Sequence, residues 1–160
     1  MSDSRPLILI TNDDGIQAGG IEALARTMVA HGDVVVVAPD RAQSGMGHAV
    51  TINGILKMEP VTFSVDGVKE AWQTKGTPVD CVKLAIYEIL GKKPDLLLSG
   101  INHGSNASIN VIYSGTMSAA VEGAVEGIPS IGFSLLNHSP NADFSACVPF
   151  VEKLALQVLE

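Results

Sequence analysis

The sequence predicts an α/β protein, a three-layer α/β/α Rossmann-like sandwich built on a mainly parallel sheet. Three observations carry that prediction. Residues 7–10, 34–37 and 95–99 are short runs dominated by bulky apolar side chains, as strands buried on both faces are. Between such runs lie stretches with apolar residues at helical spacing, and strands alternating with helices imply parallel crossovers. Polar loops at residues 12–15, 40–47 and 100–110 leave these strands at one common edge. In open parallel sheets ligands bind outside the carboxyl ends of the strands, where strand order reverses.

The elements follow in order. Leu7 to Ile10 form the first strand, which stops at Asn12-Asp13-Asp14-Gly15. Residues 20–31 place Ile21, Leu24, Ala25, Met28 and Val29 on one helical face, with His31-Gly32 as the stop. Residues 34–37 make the second strand, and the Gly- and Ser-rich residues 41–47 a polar loop. Residues 50–75 change pattern. Val61, Phe63 and Val65 alternate with polar residues and run into Asp66-Gly67 before Val68, Ala71 and Trp72, which predicts a β-hairpin insertion on one sheet edge. Thr77-Pro78-Val79-Asp80 is a helix start with Thr77 as N-cap, Pro78 at N1 and Asp80 at N3. That helix runs to about Leu90. Residues 95–99 form the third main strand, residues 114–126 an alanine-rich helix, residues 128–133 the fourth strand and residues 144–160 an amphipathic helix. With the first strand central and beside the 95–99 strand, the loops after both line one crevice.

Composition narrows the function classes. The 160 residues suit one domain spanning 1–160, large enough to bury a core without cross-links. A net charge of −7 argues against a nucleic-acid polymer or an anionic membrane surface as partner, since either calls for a basic stripe. Cys81 and Cys147 lack metal-site spacing and read as small hydrophobes. The opening MSDSRP has no basic region leading into an apolar core, and no apolar run reaches membrane-spanning length. The expectation is a soluble, cytoplasmic protein.

The predicted crevice offers Asp13, Asp14, Ser44, Asn102, Asn106, Ser114 and Thr116. Carboxylate, hydroxyl and amide oxygens suit a hard cation such as Mg²⁺, Mn²⁺ or Ca²⁺ better than Zn²⁺. Two adjacent carboxylates repel unless a cation sits between them or one keeps its proton. An Asp-Gly turn that merely caps the next helix would use the same residues, so the other loops must decide. Tyr113-Ser114-Gly115-Thr116 opens the alanine-rich helix, and its free N–H groups and positive dipole end suit a phosphate. No GxxxxGK[ST], no GxGxxG after the first strand and no GxSxG is present. His48 and His103 lie in or beside the crevice loops as acid–base candidates.

These stretches resemble the SurE family of stationary-phase survival proteins, divalent-metal-dependent nucleotidases. The resemblance rests on ILITNDDGIQAGGIEAL, VVVVAPDRAQSGMGHAVT, KGTPVDCV, PDLLLSGINHGSNASINVIYSGTMSAAVEGA and GIPSIGFSL, in family order over residues 8–135. It implies that Asp13, Asp14, Ser44 and Asn102 hold one Mg²⁺ or Mn²⁺ per subunit. It also implies that Asn106, Ser114, Gly115 and Thr116 contact the substrate phosphate, with Asp13, Asp14 and Asn106 as the catalytic group. The implied reaction is hydrolysis of nucleoside 5′- and 3′-monophosphates, with short polyphosphate as a side substrate and a homodimer or homotetramer as the assembly. Water attack and an aspartyl-phosphate on Asp13 both stand as routes. The class alternative is a non-catalytic metal- or nucleotide-binding domain. Family members continue for some tens of residues beyond the point matching Glu160, so the family's C-terminal arm is expected to be absent here.

Overall fold

Leu7–Thr11 (β1) is buried at every position and lies at the middle of the sheet. The computed structural model describes residues 5–160. β1 pairs in parallel with Asp33–Pro39 (β2) on one side and with Leu96–His103 (β5) on the other, Ile8 facing Val34 and Leu96. Beyond β2 lie Val68–Thr74 (β4), parallel to it, and the short edge strand Met58–Pro60 (β3), antiparallel to β4. Ser130–Leu135 (β6) closes the other edge, parallel to β5. The order is β3-β4-β2-β1-β5-β6, so the chain reverses direction across the sheet beside β1.

The alternation of side chains along each buried strand builds two cores. Ile8, Ile10, Val34, Val36, Leu96 and Leu98 pack with Gly19–Met28 (α1) and Val148–Leu159 (α4) on one face. Leu7, Leu9, Val35, Val37 and Leu97 pack on the other face with Pro78–Leu84 (α2) and Gly115–Val125 (α3). This is the expected three-layer sandwich. Cys81 sits wholly within the second core as a free thiol pushed up by burial, and Cys147 is also free.

Besides the shift of β6 to 130–135 and the start of α4 at Val148, four features differ from the pattern-based reading. The hairpin exists, but its first arm is Met58–Pro60 and not the Val61–Val65 alternation. Parallel β2 and β4 need a crossover, and residues 61–65 complete it by laying Val61, Phe63 and Val65 against the α1 core. β5 runs on to His103, rejoining β6 through Asn102 with Ser134 and His103 with Leu135, where a polar loop was expected. α1 ends at Met28, and His31 turns instead to Glu152 of α4, Nε2 to Oε1 at 2.7 Å. The α2 helix keeps its predicted cap but loosens into a π-helical turn over Ala85–Leu90. Among the described residues no helix is long and apolar enough to cross a membrane.

Candidate functional site

Where β1 ends, Asn12 closes the turn with its own side chain. Its Nδ2 donates to Gly15 O at 2.8 Å and its Oδ1 accepts from Gly15 N at 3.2 Å. Gly15 has φ +99°, a region that disfavours any side chain, so the chain can turn sharply behind the two acids. Asn12 is therefore committed to the turn, and the adjoining Asp13 and Asp14 are delivered to the sheet edge.

Asp13 is buried, with 4% of its surface exposed. The Thr116 hydroxyl donates to its Oδ1, and the Gln43 N–H donates to its main-chain oxygen at 2.7 Å. Burial pushes the Asp13 carboxyl above the ordinary aspartate range, opposed by the Thr116 hydrogen bond and reinforced by the neighbouring Asp14 charge. Asp14 is half-buried and its Oδ2 accepts from His103 N at 3.3 Å. The extension of β5 to His103 thus puts a main-chain donor against the second acid.

Asn102 and Asn106 form the opposite wall. Asn102 Nδ2 donates to Gly104 O at 3.3 Å and to Asn106 Oδ1 at 3.2 Å, which leaves Asn102 Oδ1 as a hard oxygen donor. Asn106 Nδ2 is buried and has no hydrogen-bond partner. A buried amide donor without a partner is costly, so it marks where an acceptor belongs. Ser114 caps α3, its Oγ accepting from Met117 N at 3.0 Å. Gly115 is required by close approach: a Cβ there would stand 2.6 Å from Asp13 Cβ.

Asp13, Asp14, Ser44, Asn102, Asn106 and Ser114 line a single crevice of about 230 Å³. His103, Tyr113, Ser105, Asn110 and Gly45 complete its walls. These five were not in the predicted ligand set, and only the position of their loops could have flagged them. Gly115 and Thr116 lie behind the wall, wholly within the protein. The Thr116 hydroxyl is turned inward onto Asp13, so at this helix start it is the main-chain N–H groups that face the crevice side. His48 is not in the crevice. Its Nε2 pairs with Glu122 Oε2 at 2.8 Å, whereas His103 contributes its main chain and lays its ring edge-on against Phe144.

Among the described residues no three of His, Cys, Asp and Glu gather as a metal cluster. The donor set is instead two carboxylates with hydroxyl and amide oxygens, the chemistry of a hard cation that keeps positions for water and substrate. A second depression of about 210 Å³, between Ile16, Glu22, Phe63 and Gln73, holds one acid, and Arg26 already pairs with it at 2.6 Å. Among the described residues, the first crevice is where clustered acids oppose a helix N-terminus.

Fold and crevice together define a doubly wound α/β protein whose switch-point site combines oxygen donors for a cation with a helix end for an anion. The chain belongs to the Survival protein SurE family, whose model matches residues 8–160. It is 61% identical to the 5′-nucleotidase SurE of Flavobacterium johnsoniae and 58% identical to that of Christiangramia forsetii, over the whole of this chain in both cases. It covers 61% and 62% of those two proteins, so it spans about three-fifths of their length. The crystal structure of the SurE protein from Aquifex aeolicus superposes with a TM-score of 0.86 at 43% identity, over 96% of this chain and 60% of that one.

Proposed function

We propose that this crevice hydrolyses nucleoside 5′- and 3′-monophosphates with one Mg²⁺ or Mn²⁺ bound by Asp13, Asp14, Ser44 and Asn102, and takes short polyphosphate as a side substrate. The observation that carries this reading is the pair of adjacent carboxyls, one of them buried and raised, facing the unpartnered Asn106 Nδ2 at the mouth of α3. The name 5′-nucleotidase SurE borne by the relatives supports the substrate class. When bound, a divalent cation supplies positive charge to the phosphoryl oxygens and acidifies a water molecule.

The chain's own residues do the rest. Thr116 holds Asp13 Oδ1, leaving Oδ2 to take the proton of the attacking water. Asn106 Nδ2 and the first turn of α3 stabilise the charge that develops on the phosphoryl group. Direct attack by water is the simpler route and inverts the configuration at phosphorus; retention with a chiral phosphoryl substrate, or a phosphoryl group trapped on Asp13 by acid quench, would replace it with the aspartyl-phosphate route. The same reading takes residues 1–160 as one domain acting in a cytoplasmic homodimer or homotetramer.

The test is phosphate release from a panel of nucleoside 5′- and 3′-monophosphates and tripolyphosphate, before and after chelation, with Mg²⁺ or Mn²⁺ restored. Release that disappears on chelation and returns with metal is the expected result. Nucleotide binding without any release under either metal would make the chain a binding domain.

A further inference from the structure

The predicted capping box at Thr77 and Asp80 lies outside the crevice, yet it makes more hydrogen bonds than a helix start needs. Capping is complete with two: Asp80 N donates to Thr77 Oγ1 at 3.1 Å, and Thr77 N donates to Asp80 Oδ2 at 2.8 Å. Three more reach into the polar loop that follows β2. Thr51 N donates to Asp80 Oδ1 at 3.0 Å, Thr51 Oγ1 donates to Asp80 Oδ2 at 2.6 Å, and Thr77 Oγ1 donates to Ala49 O at 2.7 Å. Asp80 is 2% exposed, so both of its oxygens are saturated within the protein.

That loop carries Ser44, which stands exposed at the crevice rim. Its other holds are Gln43 N on Asp13 O at 2.7 Å, Gly47 N on Tyr113 O at 3.2 Å, and His48 on Glu122. Glu122 is itself fixed by Lys83 of α2 at 2.5 Å. Past His48 the loop is tied to the start of α2, through Ala49 and Thr51. Released there, it samples conformations that carry Ser44 away from Asp13 and Asp14, and the apparent affinity for a cation falls by the fraction of time spent away.

We propose that Thr51, Thr77 and Asp80 are positioning residues for Ser44, a latch that holds the loop in its cation-binding geometry. The proposal rests on Ser44 being a ligand of the divalent cation. It assigns the GTPxD stretch a part in the site that helix capping alone does not require.

The experiment is a double-mutant cycle read by Mn²⁺ binding, with free Mn²⁺ followed by electron paramagnetic resonance on the whole chain. Thr51→Val removes one hydrogen bond, keeps the shape and leaves the Thr77–Asp80 cap intact; its Mn²⁺ dissociation constant is expected to rise about tenfold, the scale of one lost hydrogen bond. Thr51→Ser keeps the hydroxyl and is expected to bind as the parent chain does. Added to Ser44→Ala, Thr51→Val is expected to cost nothing further, because both act through the same ligand. Thr51→Val binding Mn²⁺ like the parent, or adding its full effect on top of Ser44→Ala, overturns the latch. A parent chain that takes up no Mn²⁺, or Ser44→Ala that binds unchanged, overturns the cation reading and the latch with it.

Discussion

The two ends of the β1–β2–β5 sheet are built by opposite rules. At the amino ends the described acids Asp33 and Asp95 both have partners. Leu7 N donates to Asp95 Oδ2 at 2.7 Å while Asp95 N donates to Leu7 O at 2.9 Å. Asp33 pairs with Lys69 at 2.6 Å, and that hydrogen bond holds its carboxyl below the usual aspartate range. At the carboxyl ends the reverse holds. Thr11 Oγ1, Asp40 Oδ1, Ser99 Oγ and Asn106 Nδ2 are buried without hydrogen-bond partners, and Asp13 is raised. The first end satisfies its polar groups within the protein; the second leaves several without a partner, and of these Asn106 lines the crevice.

The difference also fixes the pH dependence. Asp13 has a folded pKa above the unfolded value, so the native state holds the proton more tightly. The penalty of ionising it is absent below the unfolded value of 3.8 and grows to its full size as pH rises through the raised folded value. Asp33 works the other way: its contribution is present above 3.8 and is lost as pH falls through its lowered folded value. At neutral pH the metal-free chain therefore carries a penalty at one end of the sheet and none at the other.

The largest effect expected from disturbing this contrast is on Asp13. Asp13→Asn should lower metal-dependent phosphate release by about 100-fold or more, since it removes charge, ligand and base together. At the opposite end, Asp95→Ala should cost about 0.5–1.5 kcal/mol in denaturant unfolding by freeing the Leu7 N–H, with the rate of hydrolysis unchanged. The smallest effect belongs to Ser99→Ala. Removing a buried hydroxyl that has no partner should leave unfolding free energy unchanged or raise it by up to about 1 kcal/mol. A loss at Ser99 comparable with that at Asp95 would erase the distinction between the two ends.

Much of this was legible in the chain. The apolar runs at residues 7–10, 34–37 and 95–99 and the Thr77 cap are local signals, and local signals suffice for the central strands and for α2. The alternation of Val61, Phe63 and Val65 misled because an extended crossover lying on a helical layer buries every second residue just as a strand does. The extension of β5 to His103 was hidden by Gly100 and Asn102, which read as a loop until β6 is in place to pair with Asn102 and His103 beyond the irregularity at Gly100. At the site, Asp13-Asp14 and the α3 N-terminus declare themselves by residue type. Three contacts do not: Thr116 with Asp13, His48 with Glu122 and Thr51 with Asp80 join residues 103, 74 and 29 positions apart, and nothing in a local pattern encodes them.

The account turns on Asp13 being held under strain for a cation, and thermal unfolding of the parent chain and Asp13→Asn at neutral pH tests that directly. In chelator, Asp13→Asn should melt above the parent, because it removes the penalty of ionising a buried carboxyl. With Mn²⁺ at about 100 times its dissociation constant, the parent should rise by about 5–10 °C while Asp13→Asn stays where it was. A variant that melts below the parent in chelator, or that gains as much as the parent from Mn²⁺, would contradict the account.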